Sequence, residues 1–122
     1  MKSFELIQSQ SIKKLLQDAE NGDAEAQWRL GEAYREGKEV KQDFVEAVKW
    51  FRLAADQGLD QAQYSLGLAY WHAEGVGLDR AEAVKWIRKA AEQDHTEAQS
   101  LLGVLYRGGG GVKKDFIEAG KW

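Results

Sequence analysis

Few residues of this 122-residue chain have the types and the spacing that catalysis or metal binding requires. The two histidines are His72 and His95, and Glu74 follows closely after the first of them. A metal-binding histidine pair on a helix needs a second histidine one turn away, and neither histidine has one. The chain has no cysteine, so thiolate nucleophiles, thiolate metal sites and disulfides are excluded. Because no nucleophile–histidine–acid set is apparent either, the sequence predicts no enzymatic activity, no metal and no cofactor.

Two further patterns resemble catalytic motifs but have simpler explanations. The glycine run 108–111 lies just before Lys113, yet no strand pattern precedes it and no Ser or Thr follows the lysines, so we do not expect phosphate binding. Asp43, Asp79 and Asp115 could be mistaken for a catalytic series. Each of them has a glutamate three positions later at the start of a helical pattern, which is the spacing of an N-terminal helix cap.

The aspartates recur because the chain itself repeats at an offset of 36 residues, without gaps. The coinciding residues are Ala-Gln at 26, 62 and 98, Leu-Gly at 30, 66 and 102, Tyr at 34, 70 and 106, and Lys-Trp at 49, 85 and 121. Periods of about 20 to 50 residues are typical of repeat proteins, in which each unit stacks on the next.

Each repeat contains two helical patterns. In the first repeat, Ala26, Leu30, Ala33 and Tyr34 form an apolar stripe at helical spacing, and Gly37 follows as a stop signal. The same interpretation along the chain predicts helices at 5–20, 24–36, 43–57, 60–73, 79–93, 96–107 and 115–122. Glycines inside the first helices indicate close backbone approach to small residues of the second helices, and the pairs are 31 with 47, 67 with 83, and 103 with 119.

The predicted fold is therefore all-α, an α-α superhelix in which helical hairpins stack as a right-handed solenoid. We expect a single domain over residues 1–122, made of about three 36-residue repeats behind an N-terminal capping helix. The expected bounds are 5–22 for the capping helix, 23–58 for repeat one, 59–94 for repeat two and 95–122 for a truncated repeat three. The capping helix is in phase with the 36-residue repeat. Its residues Ile12, Leu15 and Ala19 lie 36 positions before Val48, Phe51 and Ala55.

These motifs resemble the Sel1-like repeat family, which is related to the tetratricopeptide repeats. In the second repeat the matching residues are Ala62, Leu66-Gly67, Tyr70, Gly75-Val76-Gly77, Asp79, Ala83, Trp86 and Ala90-Ala91. The resemblance covers residue 24 to the end, and it implies an adaptor or scaffold, most often bacterial, with no reaction. Hydrolase activity has been suggested for family members with one disulfide per repeat, and the absence of cysteine places this chain outside that branch.

A binding surface is predicted on the outward-facing positions of the first helices, which usually line the concave face of such solenoids. These positions vary between repeats while the core positions stay constant, as expected of a surface adapted to a ligand. The predicted partner-binding residues are Trp28, Glu32, Arg35, Tyr64, Leu68, Trp71, His72, Val104 and Arg107. Aromatic and arginine side chains are typical interface anchors. The alternative is that Trp28 and Tyr64 only fill the join between hairpins.

The predicted function is the binding of an unidentified protein or peptide on the concave face. A net charge of −3 argues against a nucleic-acid partner, and no apolar segment is long enough to span a membrane. The first ten residues lack a signal-peptide pattern, so the expected location is the cytoplasm unless a signal has been removed. One alternative is a structural fragment of a longer scaffold, with self-association through the truncated C-terminal end, and a hydrolase is a second.

Overall fold

The structure, a computed structural model, describes the backbone of residues 2–108 and the side chains of residues 11–107. This part of the chain consists of helices joined by short loops, and it contains no strand. The helices are α1 Lys2–Glu20, α2 Ala24–Glu36, α3 Phe44–Asp56, α4 Asp60–His72, α5 Arg80–Ala91 and α6 Thr96–Gly108. Each helix packs against the next in sequence, so the α2–α3 and α4–α5 hairpins stack in order behind α1. The all-α repeat prediction is therefore confirmed.

The predicted helix bounds differ from the observed ones by up to three residues. The largest difference is at α1, which begins at Lys2 instead of the predicted position 5. The predicted last helix, 115–122, and the self-association end that depends on it lie outside the described residues.

Aspartate caps begin the second helix of each described hairpin, as predicted. The Asp43 carboxylate accepts a hydrogen bond from the Glu46 backbone N–H at 3.0 Å. Asp79 accepts the equivalent bond from Glu82 at 2.9 Å. The glutamates do not complete the reciprocal capping box, because the Glu46 carboxylate instead accepts a bond from Trp50 Nε1 at 3.2 Å. The glutamate therefore orients a buried tryptophan one turn further along the helix.

The glycines inside α2 and α4 allow the two helices of a hairpin to approach closely, as predicted. A Cβ on Gly31 would lie 2.6 Å from the ring of Phe51 and 3.1 Å from the carbonyl oxygen of Ala47. A Cβ on Gly67 would meet Ile87 and the carbonyl oxygen of Ala83 in the same way. A larger residue at these positions would require the facing side chain to shift or the two helices of the hairpin to move apart.

Buried glutamines form a ladder of hydrogen bonds between consecutive hairpins, and equivalent bonds recur from one repeat to the next. Gln63 Nε2 donates to the Ala55 carbonyl oxygen, eight residues earlier, at 3.4 Å. Its Oε1 accepts from Gln93 Nε2 at 2.9 Å, across 30 residues of sequence. Gln27 makes the equivalent bonds to the Ala19 carbonyl oxygen and from Gln57 Nε2. Gln27 and Gln63 are almost fully buried, so these bonds satisfy polar groups that water does not reach.

The N-terminal helix packs in the register that the repeat predicts. Ala19 is 1 % exposed, and it packs in one apolar cluster with Leu30 and Trp50. Ile12 and Leu15 are partly buried against the same cluster. The helix therefore covers the apolar face that α2 and α3 would otherwise leave open at this end of the stack.

Candidate binding groove

A groove of about 560 Å³ lies between α2 and α4 on the side that the first helices line. Its walls come from successive turns of these two helices, because Trp28, Glu32 and Arg35 share one face of α2. Its floor comes from α3, and its far end from the start of α6. The lining residues are Trp28, Glu32, Arg35, Phe44, Ala47, Val48, Phe51, Gln61, Tyr64, Ser65, Leu68, Ala69, His72, Glu74, His95 and Glu97. A cavity of this size with apolar walls and a few polar groups is typical of a ligand or peptide site.

Two contacts between helices fix the aromatic walls of the groove. Trp28 Nε1 donates to Ser65 Oγ at 3.1 Å, which ties α2 to α4. The rings of Tyr64 and His95 lie 4.8 Å apart, which ties α4 to the start of α6. His95 Nδ1 also accepts a hydrogen bond from the Ala98 backbone N–H at 3.1 Å, so this ring serves as the N-cap of α6.

An ion pair lies at one rim of the groove. Arg35 Nε donates to Glu32 Oε2 at 2.8 Å, and its guanidinium also lies 3.7 Å from Glu36. The hydrogen bond to Glu32 raises the pKa of Arg35, with smaller contributions from Glu36 and Glu74. Arg35 is therefore held as a cation whose charge Glu32 largely compensates.

Burial also alters the ionisation of Tyr64. The pKa of its phenol is raised, first by burial and second by the nearby carboxylate of Glu97. The phenol therefore stays neutral over the physiological pH range, available as a hydrogen-bond donor at the wall.

Six of the nine predicted site residues line the groove together: Trp28, Glu32, Arg35, Tyr64, Leu68 and His72. Trp71 does not, because its ring packs toward the core of the α5–α6 end and has the guanidinium of Arg80 over it at 4.6 Å. Val104 and Arg107 lie further along α6 than the groove extends. Val104 is 57 % exposed, and the guanidinium of Arg107 folds back beside Gly103 of its own helix.

The packing of helices also brings Phe44, Ser65 and His95 into the lining, and none of these was predicted there from the sequence. Ser65 shares a face of α4 with Gln61 and Leu68, and Phe44 is the first residue of α3. The sequence does contain a signal for His95. It lies 72 positions after Asp23, at the N-cap position that Asp23 occupies before α2.

The lining offers apolar and polar groups suited to binding a ligand. The Ser65 hydroxyl accepts from Trp28, His95 Nδ1 accepts from the Ala98 N–H, and no hydrogen bond joins Ser65 to His95 in the described part of the chain. The described residues contain no group of three or more His, Cys, Asp or Glu side chains that could hold a metal ion. None of the described helices has the length and apolar character needed to cross a membrane.

A stack of α-helical hairpins with a groove along its first helices defines this chain as a helical-repeat solenoid protein. The family model for the Sel1 repeat matches residues 24–59, 60–95 and 96–122. The chain therefore belongs to the Sel1 repeat family, as the sequence motifs predicted. Proteins of this family are generally protein-interaction scaffolds without enzymatic activity.

Relatives share both the sequence and the fold. A crystal structure of a protective antigen from uropathogenic Escherichia coli, with an SLR fold, is 48 % identical with a TM-score of 0.86 over 91 % of this chain and 24 % of that one. A Sel1 repeat protein from Oxalobacter formigenes is 46 % identical with a TM-score of 0.78, over 83 % of this chain and 41 % of that one. Helicobacter pylori cysteine-rich protein B, at 24 % identity and a TM-score of 0.73, covers 77 % of this chain and 71 % of its own and shows the fold alone.

One curated relative has a name that states a ligand. The secretory immunoglobulin A-binding protein EsiB of Escherichia coli O6:H1 is 45 % identical over 44 residues, which are 36 % of this chain and 9 % of that protein. The chain thus spans less than half the length of EsiB, the E. coli antigen and the Oxalobacter protein.

Proposed function

We propose that this chain is a protein-interaction module that binds a short segment of a partner protein in the α2–α4 groove. The observation that carries the proposal is the groove itself, where Trp28, Tyr64 and Leu68 present apolar surface beside polar groups that can orient a ligand. Aromatic side chains in such positions contribute large contact area at a low cost in conformational entropy. The Trp28–Ser65 hydrogen bond and the tilted ring contact between Tyr64 and His95 hold the walls in place before a ligand arrives. A preformed wall lowers the cost of binding.

The scaffold role of the family and the ligand named for EsiB support the same class of function. EsiB is named for binding an immunoglobulin, which is a protein ligand. The stretch shared with EsiB is short, so it supports protein binding in general and does not identify the partner of this chain.

A matched pair of leucine variants tests the proposal. Leu68 lines the groove, whereas Leu53 lies on α3 outside the groove lining and is 43 % exposed. Wild type, Leu68→Gln and Leu53→Gln would each be immobilised for affinity capture from a bacterial lysate, after circular dichroism confirms equal helix content. Loss of an apolar anchor is expected to weaken capture about tenfold in Leu68→Gln and to leave Leu53→Gln like wild type.

The alternative outcomes are distinct. Equal retention of the same proteins by all three chains would show that binding occurs outside the groove. Failure of the wild type to retain any protein would favour a purely structural role within a longer scaffold.

A further inference from the structure

We propose that the groove selects a segment bearing a lysine or arginine side chain, whose cation lies near Glu97 while its aliphatic stem packs on Trp28 and Tyr64. This inference rests on the proposed function, because it specifies the ligand of the same groove. It follows from three independent features of the lining: its charge, the faces of its aromatic rings and one buried acceptor.

The groove carries an excess of negative charge. Three carboxylates line it, those of Glu32, Glu74 and Glu97, against one arginine and no lysine. Arg35 is engaged with Glu32 and also interacts electrostatically with Glu74, whereas Glu97 lies near Tyr64, in the first turns of α4. Glu97 forms no ion pair with another residue in the part of the chain whose side chains the structure describes. A ligand cation would complement this charge and would gain from the reduced solvent exposure of a groove.

The second feature is a tryptophan ring, that of Trp28, with no lysine or arginine over it in the part of the chain that the structure describes. Elsewhere in the molecule, Trp50, Trp71 and Trp86 each have a lysine or arginine of this chain over the ring, at 4.6 to 5.6 Å for the nearest cation. Trp28 is the one described tryptophan for which residues 11–107 supply no such cation. Its ring lines the groove, where a ligand cation or the stem that carries one can make the contact.

The third feature is an acceptor without a donor. Gln61 lines the groove with part of its side chain, its Oε1 is buried just behind that surface, and no described residue donates a hydrogen bond to this oxygen. A buried acceptor is stabilised when a ligand supplies the missing N–H. Ammonium groups, guanidinium groups and peptide backbones are all N–H donors, so a peptide segment can supply the missing bond, and a basic side chain brings additional donors.

Selection from a phage-displayed random heptapeptide library tests the inference, because it requires no named partner. The baits are wild type, the charge-reversed Glu97→Lys variant and a control, Glu92→Lys, which changes the total charge equally at an exposed position outside the groove lining. Wild type and control are expected to enrich lysine and arginine over the unselected library. The selected basic peptides should bind the groove variant about tenfold more weakly, because charge reversal replaces an ion pair with the ligand cation by like-charge repulsion. If charge reversal prevents folding, Glu97→Gln replaces it, with Glu92→Gln as its control.

The outcomes separate this inference from the proposed function. Enriched peptides that lose binding in Leu68→Gln but show no excess of lysine or arginine would keep the groove as the binding site and refute its selectivity. Equal binding of basic peptides to the groove variant and the control would also refute it. If no bait enriches any peptide, the proposed function fails, and this inference fails with it.

Discussion

Gln63 offers the sharpest test of how consecutive repeats are held together. Its side chain is 6 % exposed and makes one hydrogen bond in each direction, to the Ala55 carbonyl oxygen and from Gln93 Nε2. We predict that Gln63→Met, which roughly keeps the volume and removes both bonds, destabilises the chain by about 1–2 kcal/mol. The cost is moderate because both partners keep another bond. Ala55 still accepts from the Gly58 N–H, and Gln93 still donates to the Gly58 carbonyl oxygen.

A double-mutant cycle isolates the bond between repeats. Free energies of unfolding from urea titrations, followed by circular dichroism at the helix band, would be compared for wild type, Gln63→Met, Gln93→Ala and the double variant. We expect a coupling energy of about 1 kcal/mol, since only the Gln63–Gln93 bond is lost in both single variants. A coupling indistinguishable from zero, or a Gln63→Met variant as stable as wild type, would refute the idea that the ladder stabilises the stack.

Three further predictions concern backbone geometry and ionisation. Ala73 ends α4 with φ of 56°, in the left-handed region, so Ala73→Gly should raise the unfolding free energy by about 0.5–1 kcal/mol in thermal or urea unfolding. Gly67→Ala should lower it by about 1–2 kcal/mol, because the added Cβ would lie 2.6 Å from Ile87 Cγ1. The cost of Gly67→Ala should be smaller in an Ile87→Ala background, which lacks Cγ1, and an equal cost in both backgrounds would count against the steric explanation. Burial raises the pKa of Tyr64 above that of an unfolded tyrosine, about 10, so its contribution is complete below that pH and is lost as pH rises through the folded value. Alkaline titrations of stability should therefore fall more steeply for wild type than for Tyr64→Phe, and identical slopes would contradict this account.

The fold was predictable because its determinants recur at one offset and act locally. Asp43 and Asp79 cap helices through a backbone N–H three residues away, a relation that spacing alone reveals. Gly31 and Gly67 are unusual inside helices, so their recurrence indicated the close helix approach that the structure shows. Ala19 fell in phase with Ala55, which placed the capping helix correctly.

The groove was predictable only in part, because its shape depends on how helices approach one another. Helical spacing put Trp28, Tyr64 and Leu68 on exposed faces, and they line the groove together. The same spacing placed Trp71 on the binding face as well, but packing turned its ring toward the α5–α6 end, where Arg80 lies over it. Bonds across 30 residues, such as Gln63 to Gln93, have no helical spacing that identifies the two partners, although both glutamines recur at the repeat offset.

The ring of His95 contacts both the start of α6 and the wall of the groove. It holds the start of α6 through the Ala98 N–H, and its other contact is the wall residue Tyr64. A ligand that fixes Tyr64 would also fix His95, and with it the first turn of the last described helix. Occupation of the groove would therefore be coupled to the docking of α6, and a bound ligand would contribute to holding the described helices together. The temperature at which α6 unfolds would then rise with ligand concentration. A partner protein would in this way act on the scaffold as an additional structural element.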